Sequence, residues 1–255
     1  MPNIYNITQK TLSGLRKASV NLGSGVRLNI IDDLKRSPRS GKAARIDNFC
    51  LNLPKQSIYD HLLQLAYDAD IFNEVIGCMT GDHLLSDFIA FHDLAESVIG
   101  DIPDYTEGKA LFGRVDGDLK VEEDLANSII ADSLDQDMKQ RFLFAISALA
   151  DRSRSEVKQF HFIDKTEPII SVWRYIHFFR DIIDIDHFLE AMDDFFTNPK
   201  VKSYSINSAT DDMINFLQQR DNARDFFLTH DFLGDYDAAL SRVVEGREIM
   251  TIPVQ

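Results

Sequence analysis

The chain has 255 residues and a formal net charge of -14. A chain of that length buries about 70–75% of its unfolded surface around a core without needing disulfide staples, and its acidic balance excludes duplex nucleic acid as a general partner, because phosphate contact needs a basic face. Cys50 and Cys78 lack C-x-x-C spacing and are too few for a disulfide framework, so they read as small buried thiols in a reducing compartment. The opening MPNIYNITQKTL lacks the basic-then-apolar layout of an export signal. The longest clean apolar run, FLFAISALA at 142–150, falls well short of the ~20 residues of a membrane span. The expectation is a cytoplasmic protein with no membrane partner.

In chain order, the first strong helical signal starts at Ser57, an N-cap with Asp60 three residues on. Ile58, Leu62, Leu65, Ala66 and Ala69 then repeat at helical spacing, and His61 lies within the repeat. A turn at 77–82 leads to a second helix with Leu84, Leu85, Phe88, Ile89, Leu94 and Ala95 apolar and His92–Asp93 near its end. Glycines and Pro103 make 100–118 a loop. Helices follow at 121–133 and 136–150, then a long one from Glu156 to Arg180 that Pro168 is expected to kink. Residues 184–197, 209–228 and 235–246 are also helical in pattern. Period-two Val/Ile runs are absent, so the class is all-α, with residues 1–29 an N-terminal extension, 30–195 the core and 196–255 a C-terminal helical appendage.

The segment FHDLAESVIGDIP, 91–103, concentrates His92, Asp93, Glu96 and Asp101. On a regular helix, about 100° per residue sets His92 and Glu96 about 40° apart and Asp93 about 60° from Glu96, so one flank can carry all three. Gly100 suits the position after a helix end, where a left-handed conformation costs glycine nothing, and Asp101 would curl back from the exit loop. Taken alone, the string also fits a solvated acidic face. Likewise, His61 alone fits a satisfied core histidine, and Asp164 before Lys165 fits a surface ion pair.

Their ordered appearance resembles the HD-domain phosphohydrolases, whose pattern is a histidine on one helix, a His-Asp doublet on a later one and an aspartate on a third. Here His61, His92 with Asp93, and Asp164 in FIDKTEPI match it. The resemblance implies that these four hold one divalent metal; two imidazoles and two carboxylates suit Mn, Co, Fe, Ni, Zn or Mg. Within that superfamily the chain looks most like the bacterial 5′-deoxynucleotidase branch, through PRSGK at 38–42, QSIYDH at 56–61, HDLAE at 92–96 and GDIP at 100–103. The likeness covers roughly residues 30 to 180. The chain departs from that branch at Lys42, where an aromatic is common, and at Asp104 and Tyr105, where Thr-Pro is common. Ser97 breaks the H-D-x-x-E-D of alarmone hydrolases, and His161 lies too near Asp164 for the two-metal arrangement.

The resemblance implies a phosphomonoesterase releasing phosphate from deoxynucleoside 5′-monophosphates, with metal-activated water as nucleophile. Glu96 would protonate the leaving oxygen or relay a proton, and Asp101 would orient water or sugar. Lys35, Arg36, Arg39, Lys42 and Arg45 form a basic cluster around a Pro-Arg-Ser-Gly turn. It reads either as a solvated loop or as a phosphate site in which Arg39, and after it Arg45, would fork onto phosphoryl oxygens. His83 and His161 read as packing or surface residues with a second role near the metal as the alternative. Phe142, Phe144 and the Trp173–Phe179 aromatics read as core. Hydrolysis of a nucleoside triphosphate or alarmone, or a non-hydrolytic nucleotide-binding module, remain open, as does a homodimer contact through the acidic appendage.

Overall fold

The computed structural model describes residues 3–22, 27–38, 56–76, 82–101 and 118–179, with isolated positions between 215 and 225. Its helices are α1 (Ile4–Gly14), α2 (Ile30–Arg36), α3 (Ile58–Ile76), α4 (Asp82–Phe91), α5 (Glu96–Ile99), α6 (Asp118–Ser133), α7 (Gln136–Leu149) and α8 (Ser155–Phe179). A short antiparallel hairpin, β1 (Ser19–Asn21) and β2 (Arg27–Asn29), with Val20 opposite Leu28, is the sole sheet among the described residues. The described residues are all-α apart from this hairpin, whose three-residue strands are too short to leave a period-two signal. Residues 184–197, 209–228 and 235–246 fall largely outside the described residues.

The expected apolar repeat of α3 is the face it buries: Ile58, Leu62, Leu65, Ala66 and Ala69 are fully buried. Its start is a reciprocal capping box. Asp60 N donates to Ser57 Oγ at 3.1 Å, and Ser57 N reaches back to Asp60 Oδ2 at 3.2 Å. Helix α4 contributes Leu85, Phe88, Ile89, Ala90 and Phe91 to the same core, and α8 contributes Val157, Phe160, Phe162, Ile163 and Ile170. Edge-on ring pairs stitch these helices together, Phe72 to Phe162 at 6.2 Å and Phe88 to Phe160 at 6.1 Å between centroids. Helix α7 closes one side, with Phe91 edge-on to Phe142 at 5.6 Å. Phe142 is core as expected, but Phe144 is 55% exposed. Two residues on from Phe142, it is turned about 200° around a helix whose inner face is Phe142, Ala145 and Ala148.

The first helix is built into this core: its Ile4 and Leu12, and Leu15 just after its end, are fully buried. The Asp70 carboxylate, near the middle of α3, accepts from the backbone N–H groups of Ile4 and Tyr5 at 2.8 and 2.9 Å. That satisfies two of the N-terminal donors a helix leaves without intrahelical partners and puts a negative charge at the positive dipole end. Arg141 of α7 forks onto Asp87 of α4 and reaches Thr11 of α1 at 3.0 Å, and the Asp87 hydrogen bond raises the guanidinium pKa above its ordinary value. Between α3 and α8, Gln64 Nε2 donates to Asp68 Oδ1 at 2.6 Å, and Arg174 lies 3.7 Å from the same oxygen and over the Tyr67 ring.

Helix α8 continues as one element through Pro168 to Phe179. Proline nonetheless offers no N–H to the carbonyl four residues back, that of Asp164. Replacing Asp70 by Ala is expected to lower unfolding stability by about 1–2 kcal/mol, the scale of a lost helix cap. A urea midpoint equal to that of the unchanged protein would contradict that role.

Candidate metal centre

The α4 signal ends earlier than the sequence suggests. Residues 92–95 form a turn in which i→i+3 bonds replace the helical ladder, Leu94 N to Phe91 O at 3.2 Å and Glu96 N to Asp93 O at 3.1 Å. The doublet therefore sits just past the helix rather than on it. The tighter winding brings side chains three apart into register, Asp93 with Glu96, and opens the 40° expected between His92 and Glu96. Gly100 ends α5 with φ +80° and ψ 161°. Its φ is positive as expected, but its ψ is extended, a region essentially reserved for glycine, and the chain turns there into half-buried Asp101.

Three elements meet around His61. Its ring is fully buried, and Nε2 lies 3.7 Å from Asp93 Oδ2 and 3.6 Å from Asp164 Oδ1. His92 Nε2 is 3.1 Å from the same Asp93 oxygen, and the two imidazoles stand edge to face at 5.7 Å. His61, His92 and Asp164 each offer one ligand atom, all within 4.8 Å of one another, a spacing that could hold a metal ion. Asp93 joins this group through its contacts to both imidazoles. Donors about 2.0–2.2 Å from a common ion lie roughly 2.8–3.6 Å apart in octahedral or tetrahedral geometry; the contacts at 3.1 and 3.6 Å fall within that range and the one at 3.7 Å lies just above it.

Both rings are pinned at Nδ1. His92 Nδ1 faces the Ile89 carbonyl at 3.0 Å, and His61 Nδ1 faces Glu167 Oε2 at 3.0 Å. An N–H at each Nδ1 suits those acceptors and leaves Nε2 as the lone-pair nitrogen. His61 Nε2 is buried and makes no hydrogen bond among the described residues. A buried polar atom without a partner is costly, as are two mostly buried carboxylates aimed at one point. A cation satisfies both at once, so the residues fit a divalent metal.

The remaining expected site residues are placed as follows. Glu96 begins α5 with its Oε2 shielded from solvent. Arg39 and Arg45 lie outside the described residues, as do Cys50 and Cys78. Pro38, the residue before Arg39, bridges to Ser57, and Ile58 N donates to Ser37 O at 3.0 Å, so the chain leading into the basic segment is tied to the start of the His61 helix. Lys35 of that cluster is stacked over Tyr59 at 4.7 Å. His83 is exposed, whereas half-buried His161 leans on Phe160, which itself packs against His92 at 4.8 Å. Glu167 was not singled out by the sequence. It stands three residues after Asp164 with nothing local to mark it, since its partner His61 is 106 positions away.

Residues 31–185, which include His61, His92, Asp93 and Asp164, match the family model described as HD domain. The chain belongs to the HD-domain family. Members of this family are generally metal-dependent hydrolases, and the HD domain here carries the histidine and aspartate donors such chemistry needs. No curated protein matches the chain. No described helix is long and apolar enough to cross a membrane.

Divalent metal is expected to raise the melting temperature, since a ligand at a hundred times its Kd contributes about 2.7 kcal/mol. Asp93→Asn or His92→Ala should abolish that rise. For Asp93→Asn, the metal-free protein should melt no lower than the parent, because a like charge has been removed. A metal-induced shift that survives either change would show that the ion binds elsewhere.

Proposed function

We propose that the chain is a metal-dependent phosphomonoesterase that releases phosphate from deoxynucleoside 5′-monophosphates. The observation that carries the hydrolytic part is the buried His61 Nε2, which makes no hydrogen bond among the described residues and faces two carboxylates. When bound, a divalent cation supplies charge for the phosphoryl oxygens and activation of water.

The chain's own groups are assigned around that centre. Asp93 and Asp164 face the His61 ring from two different elements, and the buried Phe160 ring packs edge-on against His92. Glu96 follows the Asp93 turn with one oxygen shielded, and it is the group we assign to pass a proton to the leaving 5′ oxygen. Asp101, one residue beyond Gly100, would orient water or the sugar. Arg39 and, secondarily, Arg45 would hold phosphoryl oxygens through the planar guanidinium fork, which lysine cannot reproduce. The tie between Pro38 and Ser57 supports their assignment to this site.

The nucleotide preference rests on the sequence likeness carried by HDLAE, GDIP and PRSGK. A small phosphorylated substrate is the proposed partner, and a cytoplasmic setting suits it. Purified protein crossed with Mn, Co, Mg, Fe, Ni and Zn should release orthophosphate from deoxynucleoside monophosphates faster than pyrophosphate or tripolyphosphate from higher nucleotides. Turnover confined to triphosphates or alarmones would replace the substrate, and nucleotide binding without phosphate release under any metal would replace the reaction. Glu96→Gln should retain metal while losing about 10²–10⁴-fold in kcat, the usual contribution of a positioned proton donor. Full activity in that variant removes Glu96 from the mechanism.

A further inference from the structure

The geometry points to Glu167 as a positioning residue that fixes His61 as the principal nitrogen donor of the metal centre. This inference rests on the metal reading above and assigns a role to a residue outside the four converging ligands. Glu167 is fully buried on α8, one turn beyond Asp164. Its Oε2 meets His61 Nδ1 at 3.0 Å, while Oε1 accepts from Gln56 Nε2 at 3.1 Å and from the Ser171 hydroxyl. Those donors come from the segment entering α3, from α3 itself and from the next turn of α8, so the carboxylate is held at both oxygens before any ion arrives.

Two consequences follow. A carboxylate at Nδ1 selects the tautomer with hydrogen on Nδ1, so that Nε2 presents its lone pair toward Asp93 and Asp164. It also pulls that hydrogen toward itself, which makes the ring a better donor at Nε2. At His92 the Nδ1 nitrogen faces the neutral Ile89 carbonyl instead. The two histidines are therefore unequal, one supported by a charge and the other by a peptide dipole. Because Glu167 and Asp164 share one turn, the same helix supplies a ligand and orients the opposing one.

The test is Glu167→Gln, which removes the charge and preserves the shape. Gln56 Oε1 makes no hydrogen bond among the described residues, so rotation of the Gln56 amide can accept the new N–H. Titration calorimetry of metal-free protein with Mn or Co should show binding weakened by about 10–100-fold, the usual effect of losing such a partner. The metal-free melting temperature should stay the same or rise. A second readout needs no variant: in nitrogen-15-labelled, zinc-loaded parent protein, the His61 signals should report hydrogen on Nδ1 and zinc on Nε2. Equal affinity in E167Q, or zinc on Nδ1 of His61, overturns the inference while leaving the metal centre intact. A parent protein that takes up none of these ions overturns the metal reading beneath it.

Discussion

The arrangement of this protein depends on placing an imidazole nitrogen and two carboxylates in the same water-poor space. His61 Nε2 lies 3.6–3.7 Å from oxygens of Asp93 and Asp164, beyond hydrogen-bond range, with its ring fully buried. Without a cation, the desolvation of the carboxylates and their mutual repulsion both oppose folding. The surrounding apolar core, to which the site-bearing helices all contribute, must hold the three elements together against that cost.

The helices that carry the site are tied to each other beside it and again further along. One tie between α3 and α8 is Glu167, joined to His61, Gln56 and Ser171. The other is the buried Asp68–Arg174 contact with Gln64, more than one helical turn further along each helix. Breaking a buried ion pair by removing one partner typically costs about 3–5 kcal/mol, even though the pair itself contributes little net stability. Such ties fix relative position more than they stabilise, and fixed position is what a site needing sub-ångström agreement among donors requires. On the far side, α1 is locked to α3 through Asp70 and to α7 through Thr11 and Arg141.

The features legible from the sequence were those whose cause is local or whose residue types are unusual in combination. The Ser57–Asp60 box, the buried repeat of α3 and the positive φ of Gly100 each follow from a few neighbouring residues. The gathering of His61, His92, Asp93 and Asp164 became visible because four ligand-type residues in that order, each within an apolar pattern, are hard to explain separately. What escaped depends on distance or on fine backbone choice. Asp70 caps a helix 65 and 66 positions away, and Glu167 holds a ring 106 positions away. The change from i→i+4 to i→i+3 bonding at 92–95 leaves no mark on hydrophobic periodicity, and three-residue strands are too short to show one. Phe144 was misjudged because an aromatic in an apolar run says nothing about which side of the helix it faces.

The central claim is that one ion is gripped by the Nε2 atoms of His61 and His92 together with oxygens of Asp93 and Asp164. Crystals soaked in manganese and measured for anomalous scattering test it most directly. The account requires one strong peak per chain about 2.0–2.3 Å from these four side chains. A peak elsewhere, or coordination that leaves out His61 or Asp164, would contradict it.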